Sequence, residues 1–260
     1  MTFSIVIPAR YASQRLPGKP LADVAGKTMI ERVYEQACKS QAEKVIVATD
    51  HAEIQHCVKA FGGEVCMTRV DHESGTDRLA EVTDIYGFGD EHIVVNVQGD
   101  EPLIPPEVID QVANNLAKNS QASVATVSEK ISDVELYLNP NAVKVVADSQ
   151  QLALYFSRAP IPWHRDLLAD SNANKSELTA FLETQNQVQK HIGIYAYRVA
   201  LLRAFSGWEP RPIEKIEKLE QLRVLSQGHR IHVEEACAAV PGGVDTEEDL
   251  NRVRALIAAL

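Results

Sequence analysis

Cysteine is scarce. The 260-residue chain has four, Cys38, Cys57, Cys66 and Cys237, with no CxxC or Cys/His spacing of the kind a zinc site uses, so they are expected to be reduced core residues. Long apolar runs are missing too: none approaches the ~20 residues of a membrane-spanning helix. The opening MTFSIVIPAR has no charged region ahead of its apolar stretch, so it is no secretion signal and the expected compartment is the cytoplasm. Positive charge is in deficit, with 26 Lys and Arg against 36 Asp and Glu and a net charge of −10. Such a surface repels nucleic acid and anionic lipid, so neither is an expected partner, and a polyanionic ligand must be caught by cations clustered locally. Neither G-x-G-x-x-G nor a Walker A loop follows the first apolar run, which argues against a dehydrogenase. No Ser-His or Cys-His pair marks a covalent nucleophile.

What is present is an ordinary globular composition, 45% apolar and 24% charged, in a chain long enough to hide roughly three quarters of its unfolded surface. The first half alternates short β-branched runs with amphipathic stretches, the mark of a parallel sheet covered by helices. Strands are expected at 3–9, 44–50, 64–68 and 92–99. Helices are expected at 28–40, 52–61, 76–86 and 105–118. Then the period changes. Residues 122–131, 142–147 and 152–157 read as strands with little helix between them, which suggests antiparallel or mixed pairing. The polar stretch 166–189 reads as a surface loop or poorly anchored helix. Beyond it come 191–197 and 199–208, one strong helix over 213–227 with Ile216, Leu219, Leu222 and Leu225 in steps of three, a strand at 230–235, and a closing helix capped by Thr246 with Asp249 three residues on. No repeat or linker is apparent, and one compact α/β domain with an inserted β-rich lobe is expected.

Four constellations could carry chemistry. The loop after the first strand, Pro8 to Leu21, holds Arg10, Arg15 and Lys19 within ten residues. Guanidinium forks and an ammonium at the carboxyl end of a parallel strand suit phosphate oxygens, although a solvated basic turn has the same composition. Val97-Gln98-Gly99-Asp100-Glu101-Pro102 ends an apolar strand with a carboxylate that could bind Mg²⁺, or simply make a turn. Gly242-Gly243-Val244-Asp245-Thr246 puts another acid before a helix start, where the helix dipole alone would favour it. Paired with Asp100 next to a cationic loop, it makes Mg²⁺-dependent phosphoryl or nucleotidyl transfer plausible. Ser74-Gly75-Thr76-Asp77-Arg78 could aim backbone N–H groups, a hydroxyl and a guanidinium at a ligand edge, or merely cap a helix.

The strings IPARYASQRLPGKPL, ATD, SGTDR, VNVQGDEP, NPNAVKVV, YFSRAPIPW, HIGIYAYR, LEQLRVL and GVDTEEDL, in this order over nearly the whole chain, resemble the 3-deoxy-manno-octulosonate (KDO) cytidylyltransferases. The resemblance implies a Rossmann-like nucleotidyltransferase fold with a mixed, mostly parallel sheet and an inserted β-rich dimerisation and sugar-binding lobe. It implies a CTP-binding half over 1–120, the lobe over 121–235, and a metal-site segment and helix over 236–260. It also implies a homodimer, Mg²⁺, and transfer of CMP from CTP to an eight-carbon acidic sugar for lipopolysaccharide assembly. Carried over by position, Arg10, Arg15 and Lys19 hold the CTP phosphates, with Lys19, Asp100 and Asp245 catalytic. Ser74, Gly75 and Arg78 meet cytosine, and Asp100 and Asp245 hold the metal. Gln98, Arg158, His191, Tyr195, Glu220 and Gln221 line the sugar pocket. Lys190 stands where many members have Arg, and 166–189 matches poorly. An 8-amino analogue of the sugar, another acidic sugar, and a non-catalytic nucleotide sensor on the same fold remain alternatives.

Overall fold

The computed structural model describes residues 2–11, 16–72, 74–168, 175–184 and 187–259. In chain order the elements are β1 (Phe3–Ala9), β2 (Asp23–Val24), β3 (Lys27–Thr28), α1 (Met29–Ala37), β4 (Lys44–Thr49), α2 (Ala52–Ala60), β5 (Glu64–Met67), α3 (Gly75–Ile85), β6 (Ile93–Asn96), α4 (Pro106–Lys118) and β7 (Val124–Lys130). They continue as α5 (Val134–Leu138), β8 (Lys144–Ala147), β9 (Ala153–Ser157), α6 (Arg165–Leu168), α7 (Lys175–Thr184), β10 (Gln189–Arg198), α8 (Val199–Phe205), α9 (Pro212–Glu217), α10 (Gln221–Ser226), β11 (Ile231–Glu235) and α11 (Glu247–Ala258). The chain divides into two units, one of 1–118, 194–207 and 237–260, the other of 119–193 and 208–236.

The first unit is α/β. β1 lies between β4 and β6 and is parallel to both, with Ser4 opposite Lys44 and Val94, and β5 extends the sheet beyond β4, again parallel. The end of β10 runs antiparallel, Tyr195 facing Asn96 across β6. Ile5, Val6 and Ile7 are wholly buried, as befits a parallel strand covered on both faces. Three of the helices, α1, α3 and α11, start where side chains supply a missing acceptor: the Glu31 N–H donates to Thr28 Oγ1, and reciprocal capping boxes open α3 through Ser74 and Asp77 and α11 through Thr246 and Asp249. Such boxes satisfy helix N–H groups that have no partner within the helix. Val244 with Leu250 and Val253 of α11 packs against Val24 and Met29, which pins the end of the chain to the 20s.

The second unit is built on the parallel pair β7 and β11, Val124 opposite Ile231, and on the antiparallel β8 and β9. Gln189 and Lys190 of β10 add antiparallel to β8. Two expectations fail here. The single helix over 213–227 is two helices, because Lys218 adopts left-handed backbone at φ 55° and ends α9. Of the two readings of 166–189, a surface loop or a poorly anchored helix, the described parts take the helical one: α6 buries no residue, but α7 is not poorly anchored, since its Leu178 and Leu182 are buried in a cluster with Ile131, Val134, Tyr137 and Val188. All four cysteines are free, but the expected place in the core holds for Cys66 alone; Cys57 is half-buried, and Cys38 and Cys237 are exposed. Among the described residues, no helix is long and apolar enough to cross a membrane.

Candidate active site

Three segments far apart in sequence meet in the first unit. After β1 the chain passes Gly18, in left-handed backbone at φ 68°, and Lys19 opens a 3-10 turn anchored by buried Pro20. After β6 the turn Gln98 to Glu101 closes with the Glu101 N–H donating to the Gln98 carbonyl at 3.3 Å. The Val244 N–H in turn donates to the Asp100 carbonyl at 2.9 Å, so the segment entering α11 lies directly on this turn. Glycine makes both approaches possible: a Cβ on Gly99 would stand 2.8 Å from the Pro8 carbonyl oxygen, and one on Gly243 would stand 3.3 Å from that of Asp100.

Lys19 Nζ occupies the convergence point. It donates to Asp100 Oδ2 at 2.6 Å, to the Val244 carbonyl at 3.0 Å and to Asp245 Oδ1 at 3.2 Å. Burial pulls its pKa down, but the two carboxylates more than offset that, and the ammonium stays protonated beyond its ordinary range. Beside it, burial and then the Asp100 charge push Glu101 up to about 8. At neutral pH this side chain is therefore mostly a neutral acid, and its buried Oε2 has no hydrogen-bond partner among the described residues.

The same geometry tests the fit of a divalent cation. Two carboxylate oxygens and a carbonyl already face one positively charged point. Among the described residues, no group of three or more His, Cys, Asp or Glu could hold a metal, so they form no complete protein cage. A two-carboxylate set is what Mg²⁺ commonly takes, with water and phosphate oxygens completing its shell. The residues fit such an ion.

Also in the first unit, Ser74 accepts the Asp77 N–H at 3.1 Å, so its capping role is fulfilled. Gly75 opens α3, and a Cβ there would stand 3.9 Å from the Pro8 ring. Arg78 is fully buried and donates to Asp50 Oδ2 at 2.7 Å and Thr68 Oγ1 at 2.5 Å; its Nε is buried without a partner among the described residues. Arg10 is half-buried at the end of β1. Tyr195 stacks on Tyr197, ring centroids 5.6 Å apart. Arg15 lies outside the described residues.

In the second unit, the Arg158 guanidinium donates to the carbonyls of Glu217 at 2.7 Å and Pro140 at 3.0 Å. Lys144, fully buried, donates to the Arg158 carbonyl at 2.7 Å, which fixes that stretch from inside. His191 Nε2 lies 3.0 Å from Thr126 Oγ1 with its ring edge-on to Phe156. Burial and the neighbouring Lys190 charge push its pKa down to about 3, so the imidazole is neutral at physiological pH. Glu220 and buried Gln221 open α10.

A family model described as Cytidylyltransferase matches residues 4–231. The chain is 61% identical to the 3-deoxy-manno-octulosonate cytidylyltransferase of Cellvibrio japonicus, covering 99% of this chain and 98% of that one. It is 58% identical to the enzyme of the same name from Saccharophagus degradans, with 98% of each covered. The chain belongs to the cytidylyltransferase family. A solved CMP:2-keto-3-deoxy-manno-octonic acid synthetase complexed with CTP superposes on this cytidylyltransferase with a TM-score of 0.87 and 44% identity, over 99% of this chain and 98% of that one.

Sequence reading of this cytidylyltransferase named Lys19, Asp100 and Asp245, and the fold brings those three together. It missed Glu101, whose signal was only its place after Asp100, and the Val244 carbonyl, which carries no side-chain signal at all. Asp50, the partner of Arg78, was visible only inside the string ATD.

Proposed function

We propose that the chain activates 3-deoxy-D-manno-octulosonate with CTP, giving CMP-KDO and pyrophosphate for lipopolysaccharide synthesis, as a cytoplasmic homodimer. The observation that carries this reading is the convergence of Lys19, Asp100 and Asp245 on one point, in a chain so close to enzymes of that name. Asp100 and Asp245 would hold Mg²⁺. When bound, that ion supplies Lewis-acid polarisation of the α-phosphate.

The chain's own residues position and neutralise. Arg10, Arg15 and Lys19 oppose the charge that grows on the departing pyrophosphate. The anomeric oxygen of the sugar bonds to the α-phosphorus in line, the bond to the β-phosphate oxygen breaks, pyrophosphate leaves with the electron pair, and the hydroxyl proton passes to solvent. No covalent enzyme intermediate forms. Ser74, Gly75 and Arg78 serve the cytosine end. Arg158 meets the sugar carboxylate. Gln98, Tyr195, Glu220, Gln221 and the neutral His191 hydrogen-bond to sugar hydroxyls.

The test is CTP-dependent pyrophosphate release by the purified chain with KDO, with its 8-amino-3,8-dideoxy analogue, and with sialic acid. Release with KDO, at a kcat/KM at least about tenfold above that of either alternative acceptor, is the expected result. Preference for the 8-amino sugar would move the acceptor assignment and keep the chemistry. Tight CTP binding with no release on any acceptor would leave a nucleotide sensor instead.

A further inference from the structure

Two rings, one in the cationic loop and one beside it, have no part in the reaction just described. Tyr11 and His51 lie face to face, their ring centroids 4.0 Å apart and their planes 10° from parallel. We infer that this stack is a clamp that fixes both ends of the cationic loop, so that Tyr11 and His51 are positioning residues for CTP. The inference rests on the reading of Arg10 and Lys19 as triphosphate-binding groups.

His51 is the fixed side of the pair. It follows β4 and is the residue from which α2 starts; its N–H donates to Thr49 Oγ1 at 3.2 Å, and its carbonyl accepts the Gln55 N–H at 3.1 Å. Its Nδ1 is buried with no hydrogen-bond partner among the described residues. A ring nitrogen withdrawn from water without replacement is unfavourable, so contact with the other ring, not a polar bond at that atom, accounts for its place.

Tyr11 is the side that carries the loop. Its backbone carbonyl accepts the Gly18 N–H at 3.3 Å, which ties together two residues seven apart. A Cβ on Gly18 would lie 3.7 Å from the Tyr11 Oη and 3.8 Å from Cε2 and Cζ, so the phenol ring rests against Gly18 as well as on His51. Arg10 precedes Tyr11, and Lys19 follows Gly18. One ring, held on one imidazole, thereby sets where the chain leaves β1 and where Lys19 begins its approach to Asp100 and Asp245. Because Tyr11 is 36% exposed, truncating it removes the clamp without opening the core.

The experiment is steady-state pyrophosphate release, with each substrate varied in turn, for Tyr11→Leu, His51→Ala, Tyr11→Phe and His51→Phe. A small displacement of charge-bearing groups is costly to turnover. Tyr11→Leu and His51→Ala are therefore expected to lose about tenfold or more in kcat/KM for CTP, while the KM for the acceptor sugar stays within about twofold and the melting temperature within a few degrees. Tyr11→Phe and His51→Phe, which keep a ring on each side, are expected within about threefold of wild type. Wild-type CTP kinetics in both truncations would overturn the clamp. So would a Tyr11→Phe as damaged as Tyr11→Leu, or an equal loss toward both substrates. The pair is cut from both sides, so failure of one truncation to fold leaves the other to decide. Lys19→Met separates the two claims. If it too keeps normal CTP kinetics, the triphosphate reading falls; if it is crippled while the truncations are normal, only the clamp falls.

Discussion

In the proposed reaction Lys19 has to be both tightly held and able to act. Its ammonium is shared by two carboxylates and a carbonyl, an arrangement whose value depends on the charges remaining balanced. Asp100→Asn keeps the shape and one hydrogen-bond acceptor but removes the charge that Lys19 meets and that the proposed divalent cation would use. Pyrophosphate release should fall by about 100-fold or more, the scale seen when one electrostatic contact to a reacting centre is lost. Since Asp100 is partly exposed and Lys19 keeps Asp245 and the Val244 carbonyl as acceptors, the melting temperature should change little. An Asp100→Asn variant turning over at the wild-type rate would remove the metal assignment. At this scale the sequence was informative for side chains that follow a strand or precede a helix, because the carboxyl ends of parallel strands collect function. It was silent on Glu101 and the Val244 carbonyl, whose importance comes only from the close packing of two backbones at Gly243.

The elements differ in how plainly they can be read. β1, β4 and β6 are buried on both faces, so their β-branched runs are unbroken and stand out. The helix over 213–227 misled because apolar steps of three suit one long helix and two short ones equally. The ion pair settles it: Arg223 meets Glu214 at 2.8 and 2.5 Å, whereas residues nine apart on a straight helix would sit about 13 Å apart along the axis and on opposite faces. A break is needed for the pair to form, and Lys218 supplies it in a backbone conformation that costs a side-chain-bearing residue about 1 kcal/mol. Lys218→Gly should therefore stabilise the protein by roughly 0.5 kcal/mol after the entropy of glycine is counted; chemical denaturation measures this, and a clear loss of stability would contradict the strain argument. α7 was misread for another reason. Its sequence KSELTAFLET has few apolar residues, so its period is faint, yet Leu178 and Leu182 fall on one face and are buried. Leu182→Ala should cost about 2–4 kcal/mol, as a cavity in a packed cluster does. A cost under about 0.5 kcal/mol, the scale of an exposed site, would restore the surface reading.

Over the whole molecule, acid should act through histidines that are neutral in the fold. His191 is pushed down to about 3 by burial and the Lys190 charge. His92 and His232 are lowered too, chiefly by burial. The sign follows from proton counts. Below the unfolded value of 6.5 the unfolded chain takes up protons that the folded chain refuses, so stability is complete above that pH and drains away as pH falls toward 3. For His191 alone the loss between pH 7 and pH 5 amounts to about 2 kcal/mol at most. Glu101 works in the other direction. Its folded value of about 8 means the folded state keeps a proton the unfolded chain gives up, which adds stability as pH drops from 8 toward 4.5. The wild-type slope therefore mixes opposite contributions, and the informative quantity is a difference. His191→Gln keeps a neutral polar side chain near Thr126 and cannot titrate. Its unfolding free energy, measured by denaturant at pH 7 and pH 5, should fall between those two values by roughly 1–2 kcal/mol less than that of the wild type. Identical slopes for the two proteins would show that His191 gains its proton in the fold as readily as out of it, and the neutral imidazole proposed for the sugar end would have to be given up.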